Sequence, residues 1–541
     1  MAKVKFKSYN QSDFLLLPPS LEELIPTTHP VRIVSHVIDH LDIKKIEESY
    51  KGGGTSSYNP RMILKVLVYA YMNNVYSGRK IETLLFENIN FMWLSGYSRP
   101  DFRTINLFRS QRLCGHFHDI FTQVVELIHQ EGLVSLDVQY IDGTKIESVA
   151  NKYTFVWRKS VEHRDQKLRS KVDAILRQAE EVIASEEDSI GTTTGIDDKD
   201  LSERLNRITE KIDKLPKQLQ KEIKTVNRES VPKLEEYKHN KDVLGERESY
   251  SKTDHGATFM RMKEDYMGNG QLKPGYNVQI ATENQFITNY NIFQRPGDTA
   301  TLIPFLDSFG KRYGKQSSEI VADSGYGSEQ NYQYMLDNGM APYVKYNYFH
   351  MDIRSERKRP SDAYRLKEPH YNQKEDCFIC PMGQRMTFCG IKTMKSELGH
   401  VSQARLYKAQ DCSRCNIKGV CTKAKGDRVM QVNIKLMMYK EIVRSLLTSE
   451  KGLKHRSNRP IEPEAVFGQI KKCCGFKRFL LKTKPKVKLE FGLIALAHNI
   501  RKFARKVTQT GNKPSFFGSK SIYYPQWIRF ICLESKILIT A

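Results

Sequence analysis

The chain has 541 residues, 39% hydrophobic and 27% charged, with 86 Lys and Arg against 62 Asp and Glu for a formal charge of +24. That apolar content can bury a large core, which excludes a disordered chain, and the basic surplus favours a polyanionic partner. Met1–Lys7 lacks the apolar core of a secretory leader and no run of about twenty apolar residues could span a bilayer, so a cytoplasmic protein without membrane contact is expected, with cysteines present as thiols.

Residues 1–130 read as helical. Pro60, behind Asn59, suits the first turn of an amphipathic run through Ile63, Leu64, Val66, Leu67 and Ala70. Ile81 to Phe86 and Thr104 to Phe121 predict further helices, compatible with a DNA-binding module or with plain structure. His116-Phe117-His118 has the form used by single-strand nucleases with a tyrosine nucleophile. That chemistry needs the pair on a strand, whereas Phe121, Val124, Val125, Leu127 and Ile128 have helical spacing.

From Leu133 to Ile141 the pattern becomes that of a strand ending at Asp142-Gly143. A polar insertion, 160–250, follows. In it Leu201, Leu205, Ile208, Ile212, Leu215 and Leu219 recur at spacings of four and three, interrupted by Pro216. This predicts a helical hairpin, either packed on itself or contacting a second copy or DNA. Gly275–Thr282 and Phe286–Ile292 predict a β-hairpin. Asp298 with Thr299 is placed to cap a helix from Ala300, and Glu319–Ala322 is a buried strand ending at Asp323. The order predicts a mixed α/β sheet. Both aspartates fall at carboxyl ends of strands, where open sheets build their sites.

Cysteines mark the next segment, 346–439. Cys377 and Cys380, then Cys412 and Cys415, form two Cys-x-x-Cys knuckles, candidate ligands of a structural zinc ion, with buried thiols as the alternative. Cys114, Cys389, Cys421, Cys473, Cys474 and Cys532 stand outside that set. Beyond it, Lys451 to Lys506 holds sixteen Lys and Arg against three acids, a net of +13 in one stretch able to neutralise many phosphates. Pro463 can start a helix there, with Glu464, Phe467, Gly468 and Lys471 on one face.

Phosphodiester cleavage by two metal ions needs about three carboxylates converging from separate elements, and magnesium prefers such oxygens. Asp142 and Asp323 supply two. The third should lie in the basic stretch, where Glu462 and Glu464 are the rivals.

Ile141–Glu147 followed by Ala150–Trp157 resembles the first-aspartate motif of bacterial insertion-sequence DDE transposases. Val321–Glu329 is similar to their second-aspartate motif. Glu464–Lys471, then Gly475–Phe479 and Leu496–Asn499, is similar to their glutamate region. His29-Pro30, Tyr58–Arg61 and Arg99–Asp101 resemble their helical N-terminal domain, so the likeness covers roughly 15–505 in order. It implies a ribonuclease-H-like core, with Asp142, Asp323 and Glu464 catalytic and holding two Mg2+ or Mn2+ ions. It implies binding to terminal inverted repeats and target DNA, cleavage and strand transfer, and a homodimer bridging two ends. Arg459 and Lys471 match basic positions that contact DNA in related enzymes, and Lys472, Lys477 and Arg478 extend that set. The family's tyrosine upstream of the glutamate has no counterpart, which puts any hairpin-forming step in question. An inactive DNA-binding protein and a generic metal-dependent nuclease are the alternatives.

The expected layout is an all-α DNA-binding domain at 1–130, a catalytic domain at 131–345 and 440–510, a helical insertion at 160–250, a cysteine-rich insertion at 346–439 and a tail at 511–541.

Overall fold

The computed structural model describes residues 20–50, 56–187, 198–262, 270–353, 370–372, 374–396 and 399–510. The expected tail, 511–541, and Cys532 lie outside them.

Eight strands belong to the central region. They are β1 (Val138–Glu147), β2 (Phe155–Trp157), β3 (Ser249–Ser251), β4 (Thr258–Arg261), β5 (Leu272–Glu283), β6 (Phe286–Phe293), β7 (Glu319–Ala322) and β8 (Ala341–Val344). Six of them form one sheet: β4 and β6 both pair with β5, and β5, β1, β7 and β8 follow in order. Pairing of β1 with β5 is antiparallel, while β1, β7 and β8 run parallel. The predicted hairpin is present, with Asn284 and Gln285 both at positive φ in a two-residue turn that matches strand twist.

One expectation fails here. β1 does not end at Asp142 but continues to Glu147, because β5 supplies backbone partners from Tyr140 through Glu147. What ends is the parallel pairing, whose last pair is Tyr140 with Val321. Asp142 and Asp323 each stand two residues beyond that pair, so the register sets them side by side.

The long helix Lys484–Thr510 packs on β6 and on helix Pro60–Met72. Asn499 accepts the N–H of Ile287 through Oδ1 and donates to its carbonyl through Nδ2, both at 2.8 Å, and His498 meets the Gln285 carbonyl at 2.8 Å. Helices Pro30–Asp39, Pro60–Met72 and Phe117–Gln130 share one hydrophobic core with this helix, β5 and β6. The N-terminal helices and the sheet therefore bury a continuous surface across residue 130. The expected helix over Thr104 to Phe121 is broken between the turn Phe108–Arg112 and Phe117. His118 lies on helix Phe117–Gln130 and His116 caps it, which removes the tyrosine-nuclease reading.

The insertion holds more than the predicted hairpin. Helices Arg158–Glu187, Asp198–Glu210, Lys217–Thr225 and Val231–Leu244 fold on one another, and β2 pairs with β3 at their base. Leu201, Leu205, Ile208 and Leu215 pack on Val172, Leu176 and Ala179 of the first helix. The seam thus closes within the chain. Leu215, forced out of helical backbone by the proline after it, ends the run at ψ 151°.

The cysteine-rich segment is a five-stranded antiparallel sheet of β9 (His370–Asn372), β10 (Cys377–Ile379), β11 (Arg385–Lys395), β12 (Val401–Ala409) and β13 (Val429–Val432). Phe378, Met386, Tyr407 and Val432 form its core, against which Cys380 and Cys412 pack.

Candidate active site

Three carboxylates from remote parts of the sequence meet one guanidinium. Arg459 Nη1 lies 2.6 Å from Glu464 Oε1, while Nη2 lies 3.4 Å from Asp142 Oδ1 and 3.7 Å from Asp323 Oδ2. The Arg459 side chain is 8% exposed, Asp142 13%, Asp323 48% and Glu464 50%. The cluster is therefore sealed from below at Asp142 and open to solvent at the other two. An excess of negative charge faces that opening.

The local backbone explains the placement of Glu464. Helical structure begins at Glu450, not at Pro463, and the prolines fall inside it. Pro460 and Pro463 have no N–H to donate, so the backbone widens into a π-turn over Pro460–Glu464, and a second π-turn spans Gln469–Cys473. Extra residues in these turns offset the face expected for Glu464 and Lys471. Lys471 Nζ instead reaches the Lys145 carbonyl on β1 at 3.3 Å.

Two anchors fix this segment to the sheet. Glu462 is buried and accepts the Gln285 N–H at 2.7 Å, burial pushing its carboxyl above the ordinary range. The rival carboxylate is thus spent on the β5–β6 turn, and Glu464 alone faces the aspartates. His455 lies between Tyr140 Oη, 2.9 Å from Nδ1, and Glu319 Oε2, 2.9 Å from Nε2, with its ring 4.5 Å from that of Tyr343. Burial holds its pKa below the usual histidine value.

Sequence reasoning missed Lys345, directly after β8. Its Nζ is 4.0 Å from Asp323 Oδ1, and burial pushes its pKa down. The signal was available: β8 is the parallel neighbour of the strand that carries Asp323, so the residue after it falls at the same edge. Asp298 is not the cap that was expected. Its side chain makes no capping bond and accepts from Asn277 Nδ2 at 2.8 Å and Gln279 Nε2 at 2.9 Å. A Cβ on Gly143 would lie 2.9 Å from Asp298 Oδ1, so glycine at 143 makes room for that group. Tyr326 donates to Gln279 Oε1 from beneath, and burial beside Asp298 and Asp142 keeps it protonated.

Among the basic residues, Lys472 and Lys477 are exposed. Arg478 uses its guanidinium on the carbonyls of Ser148, Val149 and Ala150, at 2.7, 2.5 and 3.0 Å. It ties the chain leaving β1 to the segment after Cys474.

Residues 379–504 match the family model described as Transposase DDE domain, and residues 19–111 match that described as Transposase domain (DUF772). Together the two matches support an insertion-sequence DDE transposase. Transposases act on DNA, and a transposase DDE domain implies a DNA-cleaving and DNA-transferring enzyme generally. The DDE match contains Glu464 and Arg459 but not Asp142 or Asp323, which rest on the geometry above. No curated protein matches the chain. No described helix is long and apolar enough to cross a membrane.

DDE transposases generally use divalent ions such as magnesium. The donor set suits one: three hard carboxylate oxygens already surround a cation, the Arg459 guanidinium. Among the described residues no three His, Cys, Asp or Glu are drawn close enough to hold an ion as they stand. The same holds for Cys377, Cys380, Cys412 and Cys415. Here the Cys412 and Cys421 sulfurs accept from Arg428, at 3.5 Å from its N–H and 2.7 Å from its guanidinium. The zinc site expected from the knuckles is therefore not assembled in this structure.

Proposed function

We propose that this transposase binds the terminal inverted repeats of a mobile element, cleaves DNA at its ends and joins the freed strand to target DNA. Asp142, Asp323 and Glu464 are the catalytic carboxylates of a ribonuclease-H-like core. The single observation that carries this reading is their convergence on Arg459 from a strand, a strand end and a helix far apart in sequence. The sheet order, antiparallel pairing on one side of β1 and the parallel strands β7 and β8 on the other with the site at their carboxyl edge, supports the core assignment.

The three carboxylates would hold two magnesium ions, which when bound lower the pKa of an attacking water or hydroxyl and stabilise the departing 3′ oxygen. The protein's own groups do the rest. The parallel register of β1 and β7 fixes Asp142 and Asp323 as neighbours. Glu462 and His455 hold the helix that presents Glu464. Lys345, Lys472 and Lys477 offer positive charge to phosphates. A dimer bridging two ends follows from the need to act on both in concert.

Nicking of supercoiled DNA carrying candidate terminal repeats, with Mn2+, tests the reading by comparing wild type with Asp323→Ala. Cleavage by wild type alone, with cut ends mapped to the repeat boundary and joined products formed, is the expected result. Equal cleavage by both proteins overturns the carboxylate assignment. Cleavage without joining reduces the protein to a nuclease.

A further inference from the structure

The resemblance implied that Arg459 contacts DNA. Its side chain is instead buried between the three carboxylates, occupying the space that a divalent cation would need. The contacts are uneven: one close pair with Glu464 and two long ones with the aspartates. Its Nε, also buried, has no hydrogen-bond partner among the described residues. A guanidinium has five donors in a planar fork, and a settled structural arginine uses them. Arg459 lacks that closure.

Its backbone is nevertheless held. It donates its N–H to the His455 carbonyl at 3.0 Å, and His455 and Glu462 fasten the helix on either side to β1 and to the β5–β6 turn. A change of side-chain torsions can therefore withdraw the guanidinium without moving the segment or Glu464. Withdrawal is required when an ion enters, because a guanidinium a few ångströms from a divalent ion is a like charge in a partly desolvated place. The departing guanidinium needs another anion. In the setting of the proposed function, the anion present is a DNA phosphate, which arginine engages through two parallel hydrogen bonds.

We propose that Arg459 is an exchangeable counter-ion, neutralising the three carboxylates in the DNA-free protein and moving to a DNA phosphate when divalent cations enter. The inference rests on the carboxylates being the metal site. Metal binding and DNA binding then promote each other, since each removes what opposes the other. The protein alone binds metal weakly, and the competent site assembles on DNA.

The test measures Mn2+ affinity of the full chain from the electron paramagnetic resonance signal of free Mn2+, with and without an arbitrary DNA duplex lacking element ends. Proteins compared are wild type, Arg459→Ala, Arg459→Gln and Asp142→Asn. Wild type is expected to bind Mn2+ about tenfold more tightly with the duplex than without it. Without DNA, Arg459→Ala is expected to bind about tenfold more tightly than wild type and to gain little when the duplex is added. Arg459→Gln keeps the side-chain bulk without the charge and decides the matter should the alanine variant not fold. Unchanged or weaker Mn2+ binding on removal of the charge overturns the proposal, as does a wild type indifferent to DNA. Asp142→Asn separates the two readings. If it leaves Mn2+ affinity intact, the carboxylate site itself is wrong; if it lowers affinity while the Arg459 variants do not raise it, only the counter-ion is wrong.

Discussion

Two arginines in this molecule face clusters of carboxylates, and they do so in opposite ways. In the helical insertion, Arg204 is 1% exposed. Its Nε and Nη2 grip the two oxygens of Glu180 at 2.8 Å each, and Nη1 meets Asp173 at 2.7 Å. The fork is filled and helix Asp198–Glu210 is locked to Arg158–Glu187. Arg459 faces one carboxylate more, holding Glu464 closely but both aspartates through longer contacts, with an unused donor and an opening to solvent. The first arrangement is a closed clasp within a local fold. The second leaves net negative charge where several elements meet, which is what a cation-binding site requires and a clasp avoids.

The comparison breaks most sharply in activity. Asp142→Asn should lower DNA cleavage on the order of a thousandfold while leaving DNA binding intact, because it removes a metal-holding charge and no packing; cleavage and gel-shift assays on one preparation check both halves. No carboxylate of the Arg204 clasp should have such an effect. Stability should show the reverse. Arg204→Ala leaves the largely buried Glu180 without this partner and Asp173 with Arg177 alone, and should destabilise the insertion by about 3 kcal/mol. Arg459→Ala leaves three carboxylates facing one another, but Asp323 and Glu464 are half exposed and screened by solvent, so it should cost less, about 1 kcal/mol. Equal losses in denaturant unfolding would erase the distinction drawn between the two arginines.

A smaller effect tests the floor beneath the site. Asn499→Ala leaves the backbone N–H and carbonyl of Ile287 without their partner and should destabilise by about 1–3 kcal/mol. Thermal unfolding measures it, and an unchanged midpoint would mean that the helix docks by apolar contact alone. The smallest effect is one of pH. Glu490 is buried, its oxygens accept the N–H groups of Leu480 and Leu481, and burial raises its pKa from 4.5 to about 7. The folded protein thus holds a proton there that the unfolded chain has released. The contribution is full below about 4.5 and is lost as pH rises through about 7. Glu490→Gln should flatten that decline in unfolding curves collected across the same range, and an unaltered slope would dismiss it.

Much of the site was legible before any coordinates. Asp142 and Asp323 end apolar runs with strand character, and that signal is local. The choice of Glu464 over Glu462 followed a family pattern; in the structure Glu462 is buried against Gln285, whereas Glu464 stands beside Arg459. The insertion's seam was visible in the spacing of Leu201 to Leu215, because heptad periodicity survives in sequence. Its partner was not, since Val172 and Leu176 lie on a helix whose own pattern is diluted by charge. Lys345 escaped notice because a lysine after a short strand looks like any surface lysine until the parallel order of β7 and β8 is known.

By itself the sequence pointed to a family of chemistry and nominated the carboxylates proposed to carry it, because residue type, strand ends and motif order are written locally. Only the tertiary structure decided what stands between those carboxylates. Arg459 and Arg478 are both basic residues of one basic stretch. One is buried against three acids and the other is bound to three backbone carbonyls. Charge counted along a chain cannot distinguish them, since a charge's role depends on what the fold brings within a few ångströms of it.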